Sequence, residues 1–132
     1  MDQQKHHILI VDDNPDWRLT FRGVLKSAGF EVTTAASREE AIQKLAAERF
    51  DLALLDIRLD ESNENDSSGL ALAEQISQRW DWMKVIIATG YTSDEFIRKA
   101  LTPKGRKRLA VGFVQKQDVG NLARIIAKAL AQ

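Results

Sequence analysis

Five polar residues stand directly beyond short apolar runs in this chain, and their side chains could together do chemistry. Asp12 and Asp13 follow "HILIV", and Asp56 follows "LALL". Farther along, Thr89 follows "KVIIA" and Lys116 follows "AVGFVQ". Carboxylate oxygens bind hard cations, whereas a hydroxyl and an ammonium group can donate hydrogen bonds to an anion. If the fold brings these residues together, they form an acidic pocket that also contains a hydroxyl and an amine.

Three acids in one pocket need a compensating charge or a bound proton. Two unpaired carboxylates about 4 Å apart repel each other by roughly 4 kcal/mol at an effective dielectric constant of 20. A cation relieves that repulsion, and so does a carboxyl group whose pKa is raised. Oxygen ligands in an open, partly hydrated site favour Mg²⁺, which binds carboxylates, a backbone carbonyl and water molecules. The sequence therefore predicts a Mg²⁺ site if these acids meet.

The apolar runs alternate with segments of helical period. Strands are predicted at 7–11, 31–35, 52–55, 84–89 and 110–115. Asn14 is a suitable N-cap for a first helix that Gly29 should end, and "SREE" (37–40) and "TSDE" (92–95) are capping boxes of the second and fourth helices. Apolar residues at helical spacing indicate the third and fifth helices, namely Leu72, Ile76 and Trp80, and then Leu122, Ile125, Ile126, Ala129 and Leu130.

Five β–α units predict an α/β fold, in which helices cover both faces of a parallel sheet. A flavodoxin-like (βα)5 three-layer sandwich with strand order 2-1-3-4-5 is the economical arrangement for this length. That order places strands 1 and 3 side by side at the switch point, where ligands bind beyond the carboxyl ends of the strands. The five polar residues should therefore share one crevice.

Composition fits a single globular domain over residues 1–132, with residues 1–6 as a polar arm. The chain is 44% hydrophobic and 29% charged, and it lacks cysteine, which excludes disulfides and thiolate metal sites. The apolar run at 8–11 is too short for a signal peptide or a membrane span, so a soluble, cytoplasmic protein is expected. The net charge is zero, although residues 1–83 carry 9 basic and 16 acidic side chains and residues 84–132 carry 10 and 3.

The chain resembles the receiver domain of two-component response regulators over nearly its whole length. The matching motifs are "VDDN" (11–14), Asp56 after an apolar strand, Gly69 at the start of the third helix, "ATG" (88–90) and "FVQK" (113–116). The resemblance implies a signalling protein that accepts a phosphoryl group on Asp56 from a histidine kinase or a phosphotransfer protein. It implies no enzymatic activity beyond the chain's own phosphorylation and dephosphorylation.

The family pattern also implies which residues hold the metal ion. Asp13, Asp56 and the backbone carbonyl of Arg58 would ligate Mg²⁺, and Asp12 would contribute through a water molecule. Transfer of a phosphoryl group to an aspartate needs mainly positioning and charge stabilisation, which this set of residues could supply.

Further roles in phosphoryl binding, switching and dephosphorylation follow from the same pattern. Thr89 would hydrogen-bond to the phosphoryl oxygens, Lys116 would pair with them, and Phe113 occupies the place of a switch aromatic. Arg58 and Tyr91 would flank the path of the water that hydrolyses the phosphoryl group. Both are bulky, and neither is a carboxylate or an amide that could orient water, so slow dephosphorylation is expected.

Three features depart from the family pattern. Asp60 follows Leu59 near a position where the family usually has proline, and Gln117 replaces the proline that usually follows the lysine. The stretch "DESNENDSS" (60–68) resembles an insertion before Gly69. A mobile acidic loop is the plain interpretation of this insertion, and a lid or partner-docking element beside the site is the alternative.

Three other classes of protein also place acidic or phosphate-binding residues beyond strand ends or share this fold. A flavodoxin-type FMN carrier would place a phosphate-binding loop after strand 1, where "DDNPDW" would repel phosphate. A phosphatase of the haloacid-dehalogenase type would need an acid two residues after its nucleophile, where this chain has Arg58. A pseudo-receiver that binds proteins without being phosphorylated remains the alternative.

Basic residues gather around the predicted fourth helix and its exit toward strand 5: Arg98, Lys99, Lys104, Arg106, Lys107 and Arg108. In the resembled family, the surface of helix 4, strand 5 and helix 5 changes on phosphorylation. We expect this basic cluster to dock an acidic protein partner or a second copy of the chain, with a solvated loop as the plain alternative. No recognition helix accompanies these charges, which argues against nucleic-acid binding.

The remaining aromatic residues and histidines are interpreted as structural. Trp17, Trp80 and Trp82 are expected in the core or covering helices. His6 and His7 lie at the edge of the first strand without a matching histidine elsewhere, so no metal role is expected for them.

Overall fold

Five parallel strands form one sheet in the computed structural model, which describes residues 5–56, 68–89 and 110–131. The strands are β1 (His7–Val11), β2 (Glu31–Ala35), β3 (Leu52–Asp56), β4 (Lys84–Thr89) and β5 (Gly112–Gln115). Their order is β2-β1-β3-β4-β5, and each neighbouring pair is parallel. The predicted flavodoxin-like order is confirmed.

The described helices follow the strands in alternation. They are α1 (Pro15–Ser27), α2 (Arg38–Ala47), α3 (Ser68–Arg79), a 3₁₀ helix at Lys116–Asn121, and α4 (Leu122–Leu130), which is the fifth helix of the sequence prediction. The predicted fourth helix lies outside the described residues, and so does the insertion at 60–68 apart from its last residue. None of the described helices is long and apolar enough to cross a membrane.

Side-chain caps fix the beginnings of two helices where the sequence predicts them. The side-chain oxygen of Asn14 accepts hydrogen bonds from the backbone N–H groups of Asp16 (2.9 Å) and Trp17 (3.2 Å), which begins α1. The hydroxyl of Ser37 accepts from the N–H of Glu40 at 3.1 Å, which begins α2. Gly29 has a φ of 96°, a conformation that other residues rarely adopt, and it lies just beyond the end of α1.

The core has two parts, one on each face of the sheet. Alternate residues of β1, β3 and β4 point to opposite faces, as the period of a strand requires. One face packs against α2 and α3 and includes Leu9, Leu55, Ile87, Leu45, Leu72 and Ile76. The other packs against α1 and α4 and includes Ile10, Leu54, Ile86, Phe21, Leu25 and Ile126. All five residues of β3 are buried, so this central strand is covered on both faces and its carboxyl end is held rigidly.

Among the described residues, the start of β5 and the position of Trp82 differ from the sequence prediction. β5 begins at Gly112 rather than at residue 110, although the N–H of Val111 already donates to the carbonyl of Val85 at 2.8 Å. The regular pairing of β5 with β4 begins at Gly112, opposite Ile86. Trp82 is 47% exposed and is not a core residue, because it lies in the turn before β4 with its indole N–H donating to the carbonyl of Phe50 at 3.2 Å.

Candidate functional site

The carboxyl ends of β1, β3, β4 and β5 lie along one edge of the sheet. Asp56 is the last residue of β3 and pairs in register with Ala88, one residue before the end of β4. Thr89 ends β4 and pairs with Gln115, after which the chain continues directly into Lys116. The parallel order thus brings these residues to the edge where Asp12 and Asp13 leave β1, as the sequence predicts.

A buried lysine connects two of the acids. The Nζ atom of Lys116 lies 2.7 Å from Oδ2 of Asp12 and 3.1 Å from Oδ2 of Asp56. All three residues are almost fully buried, with relative exposures of 3% for Lys116, 1% for Asp12 and 4% for Asp56. The convergence predicted at the ends of β1, β3 and β5 is therefore observed for Asp12, Asp56 and Lys116.

Electrostatics keep Lys116 charged in this pocket. Burial is the largest single influence and lowers its pKa, because an ammonium loses solvation there. The charges of Asp56 and Asp12, together with hydrogen bonds to both, act in the opposite direction and outweigh burial. The net result is a pKa of Lys116 raised above its ordinary value of 10.5. An ammonium group is thus fixed between two carboxylates at neutral pH.

The third acid completes a compact set of oxygen donors. Asp12, Asp13 and Asp56 each offer a carboxylate oxygen, and these oxygens all lie within 4.8 Å of one another. Asp13 is half-buried, so the set opens toward solvent on its side. A group of three carboxylates that is partly open to solvent matches the preference of Mg²⁺ for oxygen ligands and retained water.

The beginning of α1 positions Asp12 through two contacts that the sequence analysis did not identify. The N–H of Asn14 donates to Oδ1 of Asp12 at 2.9 Å, and Nη1 of Arg18 donates to the Asp12 carbonyl at 2.6 Å. Side chains of a helix tilt toward its N-terminus, so an arginine near the start of α1 can reach back to the end of β1. The location of Arg18 four residues after the N-cap was the available signal for this contact.

Other predicted site residues lie outside the described parts of the chain or are described only by their place in a strand. Arg58, Tyr91 and the basic cluster (98–108) lie outside the described residues. Thr89 occupies the predicted strand end, and Phe113 is 39% exposed on β5. The roles of these residues remain predictions.

Known proteins match this chain in sequence. A family model described as the response regulator receiver domain matches residues 8–127. The response regulator protein PilR of Pseudomonas aeruginosa is 37% identical over 131 residues, which cover 98% of this chain and 27% of PilR. The chain spans about a fifth to a quarter of the length of the curated relatives it matches.

Solved structures match the fold described above. The receiver domain of NtrX from Brucella abortus superposes with a TM-score of 0.81 at 28% identity, covering 95% of this chain and 98% of that one. The response regulator TrrA from Thermotoga maritima, solved in complex with Mg²⁺–BeF, gives a TM-score of 0.72 at 29% identity with the same coverage. On the sequence match over residues 8–127 and this agreement in fold, the chain belongs to the response regulator receiver domain family.

Proposed function

We propose that this chain is a phosphorylation-controlled signalling receiver in which Asp56 accepts the phosphoryl group. The observation that carries the proposal is the buried ammonium of Lys116, 3.1 Å from Oδ2 of Asp56 at the carboxyl edge of the sheet. Family membership supports it, and so does the similarity to TrrA, which was solved with Mg²⁺–BeF.

The chemical step would be an in-line displacement at phosphorus. An oxygen of the Asp56 carboxylate forms a bond to phosphorus while the bond from phosphorus to the donor breaks. The leaving group departs with the electron pair. A phosphohistidine whose other ring nitrogen carries a proton leaves in this way as a neutral imidazole. The product is a mixed anhydride on Asp56. Because Lys116 already lies beside an oxygen of Asp56, it can pair with the incoming phosphoryl oxygens with little movement.

Mg²⁺ would be held by Asp13, Asp56 and the Arg58 carbonyl. Bound there, it would supply positive charge to the oxygens of the transferring group. Asp12 would act through water, since its Oδ2 lies 2.7 Å from Lys116 and its Oδ1 accepts the Asn14 N–H. Both oxygens of Asp12 are thus engaged with the protein, which supports an indirect role for this residue.

A small phosphodonor tests the proposal without knowledge of the kinase. The protein is incubated with acetyl phosphate, with Mg²⁺ or with EDTA, and its intact mass is measured. We expect one phosphoryl group that requires Mg²⁺ and is lost in Asp56→Asn. Asp118→Asn is the matched control, because it removes an exposed carboxylate two residues from Lys116 and should leave labelling unchanged.

Other outcomes of this experiment would count against the proposal. Equal labelling of Asp56→Asn would mean that the acceptor is a different residue. A folded protein that takes no phosphoryl group from acetyl phosphate or from phosphorylated histidine kinases would instead support the pseudo-receiver alternative, in which the chain binds partners without being modified.

Signal input and output require partner proteins on both sides of this receiver domain. Receiver domains interact with histidine kinases and downstream effector domains, and we propose both kinds of partner here. The basic cluster (98–108) would dock an acidic partner surface or a second copy of the chain. Val111, just before β5, and Phe113 on β5 are 37% and 39% exposed. Sedimentation with and without beryllofluoride, for the wild type and for Arg106→Ala/Lys107→Ala/Arg108→Ala, tests this. Association that depends on neither the mimic nor the three residues would exclude this surface as the output face.

A further inference from the structure

A tryptophan from α1 lies against the lysine of the site. The Nζ atom of Lys116 is 5.5 Å from the centroid of the Trp17 ring, within the range of about 6 Å in which a cation and an aromatic face attract each other. The same ammonium contacts Asp12 and Asp56 at 2.7 and 3.1 Å. Lys116 therefore has carboxylates and an indole around one charge, in a place almost closed to water.

Trp17 is held in place through both its backbone and its ring. The backbone N–H of Trp17 donates to the side chain of Asn14 at 3.2 Å, so the residue belongs to the capped first turn of α1. Its ring stacks on the buried Phe21, with centroids 5.4 Å apart and planes inclined by 26°. An indole fixed in this way can direct a neighbouring side chain, whereas an unrestrained one would move with it.

We propose that Trp17 is a positioning residue, whose indole holds the ammonium of Lys116 against Asp12 and Asp56. The four-carbon stem of lysine is flexible, and its ammonium is a compact charge without a preferred direction of bonding. The ring adds a constraint from the α1 side, in addition to the two carboxylates. For the proposed phosphoryl transfer, on which this consequence rests, Trp17 would decide where the ammonium meets the incoming oxygens.

A double-mutant cycle measures the contact without any phosphorylation. The variants are Trp17→Leu, which keeps an apolar side chain against Phe21, Lys116→Met, and the combination of both. Urea unfolding at neutral pH in EDTA gives the equilibrium constant of each variant. We expect a coupling between the two positions of roughly 3- to 30-fold in that constant, the range for a partly desolvated cation and a ring. Coupling below about 1.5-fold would overturn the proposal.

Fluorination distinguishes a cation–ring contact from simple packing. In a Trp80→Phe/Trp82→Phe background, Trp17 is the one tryptophan of the chain, and it can be replaced biosynthetically by mono-, di- and trifluorotryptophan. Fluorine withdraws electron density from the ring face but changes its shape little. We expect stability to fall stepwise with fluorine content when Lys116 is present and to stay level in Lys116→Met. The same decline in both backgrounds would show that Trp17 only packs.

The phosphorylation rate gives a separate readout. Trp17→Leu should slow Mg²⁺-dependent labelling by acetyl phosphate by roughly 3- to 30-fold, and Trp17→Phe should restore most of the rate. If neither the wild type nor any variant is labelled, the proposed function fails. The double-mutant cycle and the fluorotryptophan series would still show whether Trp17 and Lys116 interact. If the wild type is labelled and Trp17→Leu is labelled equally fast, the positioning role fails and the acceptor assignment stands.

Discussion

Replacing Lys116 with methionine tests how the buried charges of the site balance one another. Methionine has a similar length and is apolar, so it removes the ammonium and little else. At an effective dielectric constant of 20, separations of 2.7 and 3.1 Å correspond to gross attractions of about 6 and 5 kcal/mol. The cost of desolvating the charges offsets much of this attraction in the wild type. Removal of one partner leaves the other charges buried, and we expect the free energy of unfolding to fall by about 3–5 kcal/mol at pH 7 in EDTA.

Protons or Mg²⁺ should restore part of the stability that Lys116→Met loses. Three carboxylates whose oxygens lie within 4.8 Å of one another would remain without the lysine, so the folded variant should take up a proton or Mg²⁺ more readily than the wild type. A proton that binds more tightly to the folded than to the unfolded chain stabilises the fold as the pH falls. Stability of Lys116→Met should therefore rise from pH 7 toward pH 5, and it should rise with Mg²⁺ by RT ln(1 + [Mg²⁺]/Kd).

Urea unfolding monitored by circular dichroism measures these effects. Lys128→Met is the matched control, because this exposed lysine in the last turn of α4 should change stability by no more than about 0.5 kcal/mol. A loss below about 1 kcal/mol for Lys116→Met, with no dependence on Mg²⁺ or pH, would refute the charge balance described here.

Three further predictions concern the helix cap, alkaline pH and dephosphorylation. Asn14→Ala removes the side-chain oxygen that accepts the N–H groups of Asp16 and Trp17. It should lower the free energy of unfolding, measured by urea titration, by about 1 kcal/mol. No change would mean that water replaces the cap without loss of stability. The pKa of Lys116 is raised in the folded protein, so the stabilisation by its ammonium is complete below the ordinary value of 10.5 and is lost as the pH rises through the folded-state pKa. The stability difference between the wild type and Lys116→Met should therefore stay constant from neutral pH to about 10.5 and shrink at higher pH. A difference that already shrinks below pH 10.5 would contradict this. Arg58→Asn with Tyr91→Glu should speed loss of the phosphoryl group in an intact-mass time course, and unchanged or slower decay would reject the idea that these side chains restrict water.

Local signals in the sequence were sufficient to predict most of the fold. Asn14, Ser37 and Gly29 begin or end helices through their own side-chain or backbone chemistry, so their effects can be read without knowledge of distant residues. The apolar runs of β1, β3 and β4 are buried on both faces, and such runs predict central parallel strands. The strand order followed from the number and alternation of the elements. The start of β5 was predicted two residues too early, because Ala110 and Val111 extend the apolar run although regular pairing begins at Gly112.

The candidate site was predictable at the level of which residues converge, since the ends of adjacent parallel strands must meet. The contacts among side chains were not. Whether Lys116 contacts Asp12, Asp56 or solvent depends on rotamers and on the direction of the 3₁₀ helix after β5, neither of which has a sequence pattern. The same holds for Trp17, whose helical spacing indicates packing in general and cannot show that a charge lies over its ring. Arg18 was missed because arginine near a helix start is usually solvated.

Chemical identification of the modified residue tests the assignment of Asp56 as the phosphoryl acceptor. The chain is labelled with acetyl phosphate and Mg²⁺, treated with borohydride, which reduces an aspartyl phosphate to homoserine, and digested for peptide mass mapping. We predict homoserine at position 56 and unmodified aspartate at positions 12 and 13. Homoserine at position 12 or 13, or a stable label that borohydride does not remove, would contradict the assignment of Asp56 as the phosphoryl acceptor.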